Sequence, residues 1–139
     1  MDRDMHVLVP VRYPLTARNL TAIQRGLELL EAASNPELIV LHVDELLDDE
    51  HVDRADLRAA VEAEFDAIQA SYVVRDGFLT EAAILDEAIR LDATHVVISR
   101  DRRNRWQRLT GRLFDSDVDL AAALRTRADI ELVVVDAEA

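Results

Sequence analysis

The sequence predicts an α/β fold in which helices cover both faces of a parallel five-stranded sheet. Five short apolar runs alternate along the chain with segments whose apolar residues recur every three or four positions. This alternation is typical of βαβ units and therefore of a mainly parallel sheet. The runs are nearly continuous in apolar residues, as expected for strands that are buried on both faces.

The chain begins with a predicted strand and a predicted amphipathic helix. Residues 5–12 form the first apolar run, although Pro10 lacks the N–H that a central strand normally uses. Thr16 is a candidate helix cap, and residues 34–36 end the helix near residue 33. The apolar stripe of this helix consists of Leu20, Ile23, Leu27 and Leu30.

The middle of the chain predicts the second strand, a second helix and a short third strand. Residues 37–43 form the second apolar run, and the acidic loop 44–50 follows it. Residues 48–50 could bind a divalent ion, but a solvated acidic loop is the favoured interpretation. The third strand is expected at 71–74 and ends near Gly77. The stripe of the second helix consists of Leu57, Val61, Phe65 and Ile68.

The last third of the chain predicts two more helices and two more strands. Thr80 is a candidate cap for the third helix, and the fourth strand is expected at 95–98. An arginine-rich loop at 100–112 follows, then a helix around 117–124 and a fifth strand at 130–135. The predicted inner side of the third helix carries Ile84, Leu85, Ala88 and Ile89.

These elements predict one domain over residues 1–139, because a chain of this length with 50% apolar residues can form a single core. Right-handed crossovers favour the strand order 3-2-1-4-5 of a three-layer, doubly wound, Rossmann-like sheet. The winding reverses between strands one and four. Ligands of such sheets bind outside the carboxyl ends of the strands at that reversal, so the predicted crevice is lined by residues 12–16 and 99–116.

The loop 100–112 concentrates positive charge on a strongly acidic protein. It holds six of the 16 basic residues and one aspartate, whereas the whole chain carries −12. Two interpretations are open, an anion site in the crevice and a solvated or partner-facing surface. The residues of this part of the crevice that could contact an anion are Arg12, Ser99, Arg100, Arg102 and Arg103.

The composition limits the classes of function. All 16 basic residues are arginine and 28 residues are acidic, which indicates a surface adapted to high salt. GC-rich coding is a second explanation for the replacement of lysine by arginine. General nucleic-acid binding is not expected of such a surface. The chain has no cysteine, no apolar run long enough to span a bilayer and no apolar signal-peptide core. A cytoplasmic protein without membrane contact is therefore expected.

Catalytic and metal-binding patterns are not found in the sequence. No serine lies in a Gly-x-Ser-x-Gly elbow, and the four histidines lack metal-ligand spacing. His42 and His95 lie in strand-like runs and are interpreted as structural residues. Three glycines are too few for a phosphate-binding glycine loop. An enzyme is therefore not expected.

The order of the segments resembles the universal stress protein family over nearly the whole chain. The run 6–11, including its proline, is similar to the first strand of that family, and residues 41–43, 96–98 and 132–135 are similar to later strands. The resemblance implies the same 3-2-1-4-5 sheet, of the adenine nucleotide alpha hydrolase-like kind. It also implies a homodimer formed through the last strand, here 130–136, and ATP as the common ligand of the family.

The ATP-binding features of the family differ at their key positions. Arg12 stands where ATP-binding members carry an aspartate, and Ser99 and Arg102 stand where they carry glycines. Of the remaining motif, the chain offers Gly111 in a shifted place and Ser116. A side chain keeps the backbone from approaching a triphosphate as closely as glycine does. ATP binding of the usual kind is therefore not expected, and no cofactor is predicted.

Three functional hypotheses follow. The first is a non-enzymatic stress-response or regulatory domain that forms a homodimer and acts on a protein partner of unknown identity. The second is a nucleotide- or anion-binding module in which Arg12 and the loop 100–112 replace the glycine loop. The third, a phosphate-handling enzyme such as a nucleotidyltransferase or hydrolase, is disfavoured by the missing catalytic pairs. A response-regulator receiver would need an acidic pocket where this chain has Arg12.

Overall fold

A computed structural model describes residues 4–45, 52–65, 68–77, 81–101, 124–126 and 129–137. The strands are β1 (Asp4–Val11), β2 (Asn35–Glu45), β3 (Ser71–Gly77), β4 (His95–Asp101) and β5 (Glu131–Ala137). The helices are α1 (Ala17–Leu30), α2 (Arg54–Glu64) and α3 (Glu81–Arg90), and residues 124–126 form a further helical turn. The predicted alternation of strands and helices is confirmed for these elements.

The five strands form one parallel sheet in the order β3-β2-β1-β4-β5. This is the predicted order, and it confirms the doubly wound α/β architecture. The central position of β1 follows from the right-handed crossovers, which carry the chain first toward β3 and then back past β1 to β4. The reversal of winding therefore lies between β1 and β4, as predicted.

Two apolar cores lie on opposite faces of the sheet. In β1, Val7 and Val9 face one core, and Leu8 faces the other, because successive strand residues point to opposite faces. The first core includes Ile23 of α1 and residues of α2, whereas the second includes Ile84 and other residues of α3. Helices α1 and α2 thus cover one face of the sheet, and α3 covers the other.

Several predicted boundaries and one predicted face are wrong. Strand β2 begins at Asn35, within the segment that was expected only to end α1, and β4 continues through Asp101 into the predicted arginine loop. Phe65 ends α2 in an extended conformation, so the apolar stripe continues past the helix to Ile68. Ile89 is 43% exposed instead of facing the core, because it lies at the last turn of α3.

Helix α1 packs unusually close to the sheet at Gly26. A Cβ atom at this position would lie 3.2 Å from side-chain atoms of both Val7 and Leu38, closer than ordinary van der Waals contact. A larger residue here would have to displace these side chains by a few tenths of an ångström, so the close packing favours glycine even though glycine lowers helix propensity. The contact lies past the middle of α1 and packs this part of the helix against β1 and β2.

The two ladders of β1 differ greatly in length. β1 pairs with β2 over all eight of its residues, Asp4–Val11, but with β4 only at Val7 and Leu8. Beyond that point β4 remains paired with β5 through Asp101. The sheet therefore loses its regular pairing between β1 and β4 toward the carboxyl ends, where the predicted crevice lies.

Pro10 accounts for part of this early end of pairing. His6 directs both backbone groups toward β4, since its C=O accepts from Thr94 N–H at 2.8 Å and its N–H donates to Thr94 Oγ1 at 3.0 Å. Backbone groups alternate along a strand, so Leu8 and Pro10 also face β4. Pro10 has no N–H to donate there. Pro10, an unfavourable residue for a central strand, thus lies just beyond the last pair of the ladder.

Candidate functional site

The candidate site lies at the carboxyl ends of β1 and β4, where the winding of the sheet reverses. Counting on from the pair of Leu8 and Val96 places Val11 level with Ser99. Pro10 lacks an N–H, and the next N–H on this side of β1, that of Arg12, donates to Asn19 Oδ1 at 3.1 Å. Neither group extends the ladder toward β4, so among the described residues the regular pairing of the two strands stops short of this edge.

Asn19 fixes the loop that connects β1 to α1. Its buried Oδ1 accepts the backbone N–H groups of Arg12 and Thr16, each at 3.1 Å. The backbone N–H of Asn19 in turn donates to Thr16 Oγ1 at 3.1 Å, which completes a reciprocal cap. Thr16 therefore caps α1, as predicted. One amide side chain sets both the start of the helix and the backbone position of Arg12.

A contact between two aromatic side chains, Tyr13 and His42, also supports the loop between β1 and α1. His42 is buried at the carboxyl end of β2, with its Nδ1 at 3.4 Å from the backbone oxygen of Val11. The exposed ring of Tyr13 meets the His42 ring edge-on, with centroids 6.2 Å apart. His42 is thus a structural residue, as its strand-like sequence indicated. Tyr13 presents an aromatic surface beside the exposed Arg12.

The structure places part of the predicted site. Arg12 lies at the carboxyl end of β1, and Ser99 is half-buried on β4, opposite Val135 of β5. The backbone of Arg100 belongs to β4 instead of to a loop. The fold thus brings Arg12 and Ser99 to neighbouring strand ends. The other predicted site residues lie outside the described residues: Arg102, Arg103, Gly111 and Ser116, together with residues 48–50 and the possible cap Thr80.

The described part of the crevice offers groups that can contact an anion. It offers the exposed guanidinium of Arg12, the aromatic ring of Tyr13 and the half-buried Ser99. A guanidinium can donate two parallel hydrogen bonds to a phosphate or carboxylate. In the ranges that the structure describes, no three histidine, aspartate or glutamate side chains converge as they would around a metal ion.

A polar cluster occupies the opposite, amino-terminal edge of the same two strands. The Thr94 hydroxyl donates to the His6 carbonyl at 3.2 Å and lies 2.9 Å from His95 Nδ1. Which of the two atoms donates in the second contact is set by the tautomer of the His95 ring. Together with the backbone bonds of His6, these contacts join β1 to β4 where the short ladder begins, so Thr94, His6 and His95 are structural.

The groups with perturbed pKa values lie away from the crevice. Burial, reinforced by the Glu62 carboxylate, raises the pKa of Tyr72, whose buried hydroxyl has no hydrogen-bond partner within the described residues. Hydrogen bonds to Glu62 and Glu87 raise the pKa values of Arg58 and Arg90, respectively. These arginines form ion pairs on helix surfaces and hold no position in the candidate site.

Asn19 is the site residue that sequence reasoning missed. The sequence does carry a signal, since Thr16 is followed three positions later by a side chain that can return a hydrogen bond. The usual residue at that position of a capping box is Glu or Gln. The further bond to Arg12 spans seven residues and depends on the path of the loop, which local spacing does not reveal.

Comparison of the sequence with known protein families gives no match. Comparison with curated proteins likewise gives no relative. None of the helices in the described ranges is both long and apolar enough to cross a membrane.

Proposed function

We propose that this chain is a non-enzymatic regulatory domain of the universal stress type, which acts as a homodimer and through contact with another protein. The observation that carries the proposal is the position of β5 at one edge of a 3-2-1-4-5 sheet. An outer strand leaves one row of backbone N–H and C=O groups for pairing with a second chain. The described part of the crevice, in contrast, combines few of the groups that chemistry on a substrate would need.

The side chains of β5 also support pairing. Residues 131–135 are all exposed or half-buried, although four of the five are apolar. Val134 is 38% exposed, whereas Val96 and Val97 in the neighbouring strand β4 are fully buried. Burial of an apolar strand against a second copy would remove this surface from water.

Replacement of Val134 by aspartate is expected to convert the dimer into a monomer. Two carboxylates would then face each other across a two-fold interface, and each would lose hydration on pairing. Sedimentation equilibrium in about 1 M salt, where the Debye length is roughly 3 Å, measures the effect. Long-range repulsion between two acidic chains is largely screened under that condition.

Tyr13→Asp is the matched control, because Tyr13 is equally exposed, at 38%, but lies on the β1–α1 loop. This variant should remain dimeric. A monomeric wild type would contradict the proposal, and so would a folded Val134→Asp protein that sediments as a dimer.

A second candidate function, binding of a small anion at the carboxyl ends of β1 and β4, is favoured by the loop that Asn19 holds. Asn19 fixes the backbone of Arg12 while the Arg12 side chain stays exposed. With the backbone already fixed, only the Arg12 side chain has to be ordered when it binds a phosphate. The proposal extends to Arg100, Arg102 and Arg103, which follow Ser99 in the sequence and would add positive charge.

Arg12→Ala is expected to weaken the binding of inorganic pyrophosphate about tenfold, because a hydrogen bond to a charged group contributes at least ~1.5 kcal/mol. Calorimetric titration at one fixed ionic strength measures the change. Arg25→Ala is the control, since Arg25 is an exposed arginine on α1 that pairs with Glu28. Equal affinity of the wild type and Arg12→Ala, or an equal loss in Arg25→Ala, would exclude Arg12 as a ligand of the anion.

A further inference from the structure

A separate cavity lies at the amino-terminal edge of the sheet, at the end opposite the crevice. Its volume is about 250 Å³, and it opens where α3 ends and where β4 and β5 begin. The cavity is lined by Ala88, Ile89, Asp92, Ala93 and Ile130. None of these residues takes part in the crevice or in the exposed surface of β5.

The walls of this cavity combine apolar surface with one acidic residue. Ala88, Ala93 and Ile130 are buried and form its base, whereas Ile89 is 43% exposed and forms a wall that solvent can reach. Apolar walls favour an aliphatic group, because contact removes its surface from water. Asp92 is the one charged residue among the lining residues that the structure describes, so the cavity favours a positively charged group.

Asp92 occupies a position where both the backbone conformation and the helix dipole are unfavourable for an aspartate. It follows α3 with φ 55°, and its N–H donates to Ile89 C=O while Ala93 N–H donates to Ala88 C=O. This is the helix-ending arrangement in which glycine is usual. A carboxylate at the carboxyl end of a helix also meets the negative end of the helix dipole. Among the described residues, no donor or cation contacts the Asp92 carboxylate.

The surroundings of the cavity add negative charge. Asp129 and Glu131, on either side of Ile130, are both exposed, and they outnumber the one exposed arginine of the preceding described turn, Arg125, whose backbone oxygen accepts the Asp129 N–H at 3.2 Å. The nearest arginine along α3, Arg90, is bound to Glu87 at 2.6 Å. His6 approaches the turn with its Nδ1 at 3.1 Å from the backbone oxygen of Asp92, so it contacts the backbone and not the carboxylate. A cation is therefore the charge type that these groups attract.

We propose that this cavity binds a small organic cation, an alkylammonium or alkylguanidinium group on a short aliphatic chain. Its volume falls below the ~300 Å³ at which drug-sized sites begin, which limits the ligand to a fragment of that kind. The aliphatic chain contacts Ile89 and Ile130, and the charged head lies at Asp92. This binding site is independent of the regulatory role and of the anion crevice.

The test is an amide-resolved NMR titration of the full chain with n-butylammonium, 1-butanol and butyrate. Butylammonium should shift the amides of residues 88–93 and 130, with weaker binding of the alcohol and none of butyrate. Asp92→Asn should weaken butylammonium about fivefold, as expected for loss of one exposed ion pair. Ile89→Ala should also weaken it, whereas Glu64→Gln, which removes an exposed carboxylate on α2, should not.

Four results would overturn the proposal. Equal affinity for 1-butanol and butylammonium would show that charge has no part in binding. Shifts spread over the acidic surface, no shift at all, or unchanged affinity in Asp92→Asn would show that the cavity is not the site. Asp92→Asn keeps a residue that tolerates positive φ, so loss of folding should not obscure the result.

Discussion

Asn19→Ala is expected to lower the free energy of unfolding by about 2 kcal/mol, because two backbone donors lose their acceptor at once. Asn19 Oδ1 accepts the N–H groups of Arg12 and Thr16, and the Asn19 side chain is the returning half of the α1 cap. Loss of a cap alone typically costs about 1 kcal/mol. Urea unfolding at fixed salt measures the change.

Asn19→Asp is the matched control for this prediction. A carboxylate oxygen can accept the same two N–H groups, and a negative charge in the first turn of a helix is favourable. The aspartate variant should therefore keep most of the stability that alanine loses. If the alanine and aspartate variants were equally unstable, the acceptor role of Asn19 would be wrong.

Glu87→Ala is expected to destabilise the fold by about 2 kcal/mol, since it removes a buried carboxylate that joins β3 to α3. The Glu87 side chain is 9% exposed and lies 3.6 Å from Arg75 and 2.6 Å from Arg90. Both arginines are partly solvated, so the loss should be smaller than the 3–5 kcal/mol of a fully buried pair. Chemical denaturation again gives the magnitude.

Asp86→Ala tests whether Glu87 stabilises the fold because it is buried or only because it pairs with Arg75. Asp86 contacts the same Arg75 at 3.6 Å, but its side chain is 68% exposed. Exposed pairs contribute roughly 0–1 kcal/mol, so this variant should cost much less than Glu87→Ala. Equal losses in the two variants would mean that burial of Glu87 has no bearing on the strength of its contacts.

The strand order could be predicted from the sequence because it depends on few rules. Alternating strands and helices require parallel pairing, and right-handed crossovers then leave few arrangements. The boundaries of the helices and strands were less predictable, because the conformation of their end residues depends on tertiary contacts. Arg100 and Asp101 read as part of a charged loop but continue β4, where they pair with residues 136 and 137 of β5.

Single side chains were harder to assign than elements. The spacing of Ile84, Leu85 and Ala88 places Ile89 on the inner side of α3, but the sheet does not cover the last turn of the helix. Glu87 reads as an ordinary surface acid of that helix. Its burial depends on Arg75, twelve positions away on β3, and sequence periodicity carries no information on such a contact.

The location of the candidate site could be predicted from the strand order, whereas the contacts that build the site could not. Arg12 and Ser99 lie on neighbouring strand ends because the winding reverses between β1 and β4. The β1–β4 pairing stops before Pro10, and Asn19 Oδ1 accepts the backbone N–H of Arg12. Both features depend on the three-dimensional path of the chain. From the sequence, Pro10 is only an unfavourable strand residue, because the sequence does not show which neighbouring strand lacks a hydrogen bond from it.

The most direct test of the proposed crevice is a calorimetric titration of the wild-type protein with MgATP and with inorganic tripolyphosphate at the same ionic strength. If exposed arginines bind phosphate without a glycine loop, tripolyphosphate should bind at least as tightly as MgATP, because the nucleoside contributes little. Binding of MgATP more than about tenfold tighter, a difference of about 1.4 kcal/mol, would contradict this and indicate a nucleotide site of the usual family kind.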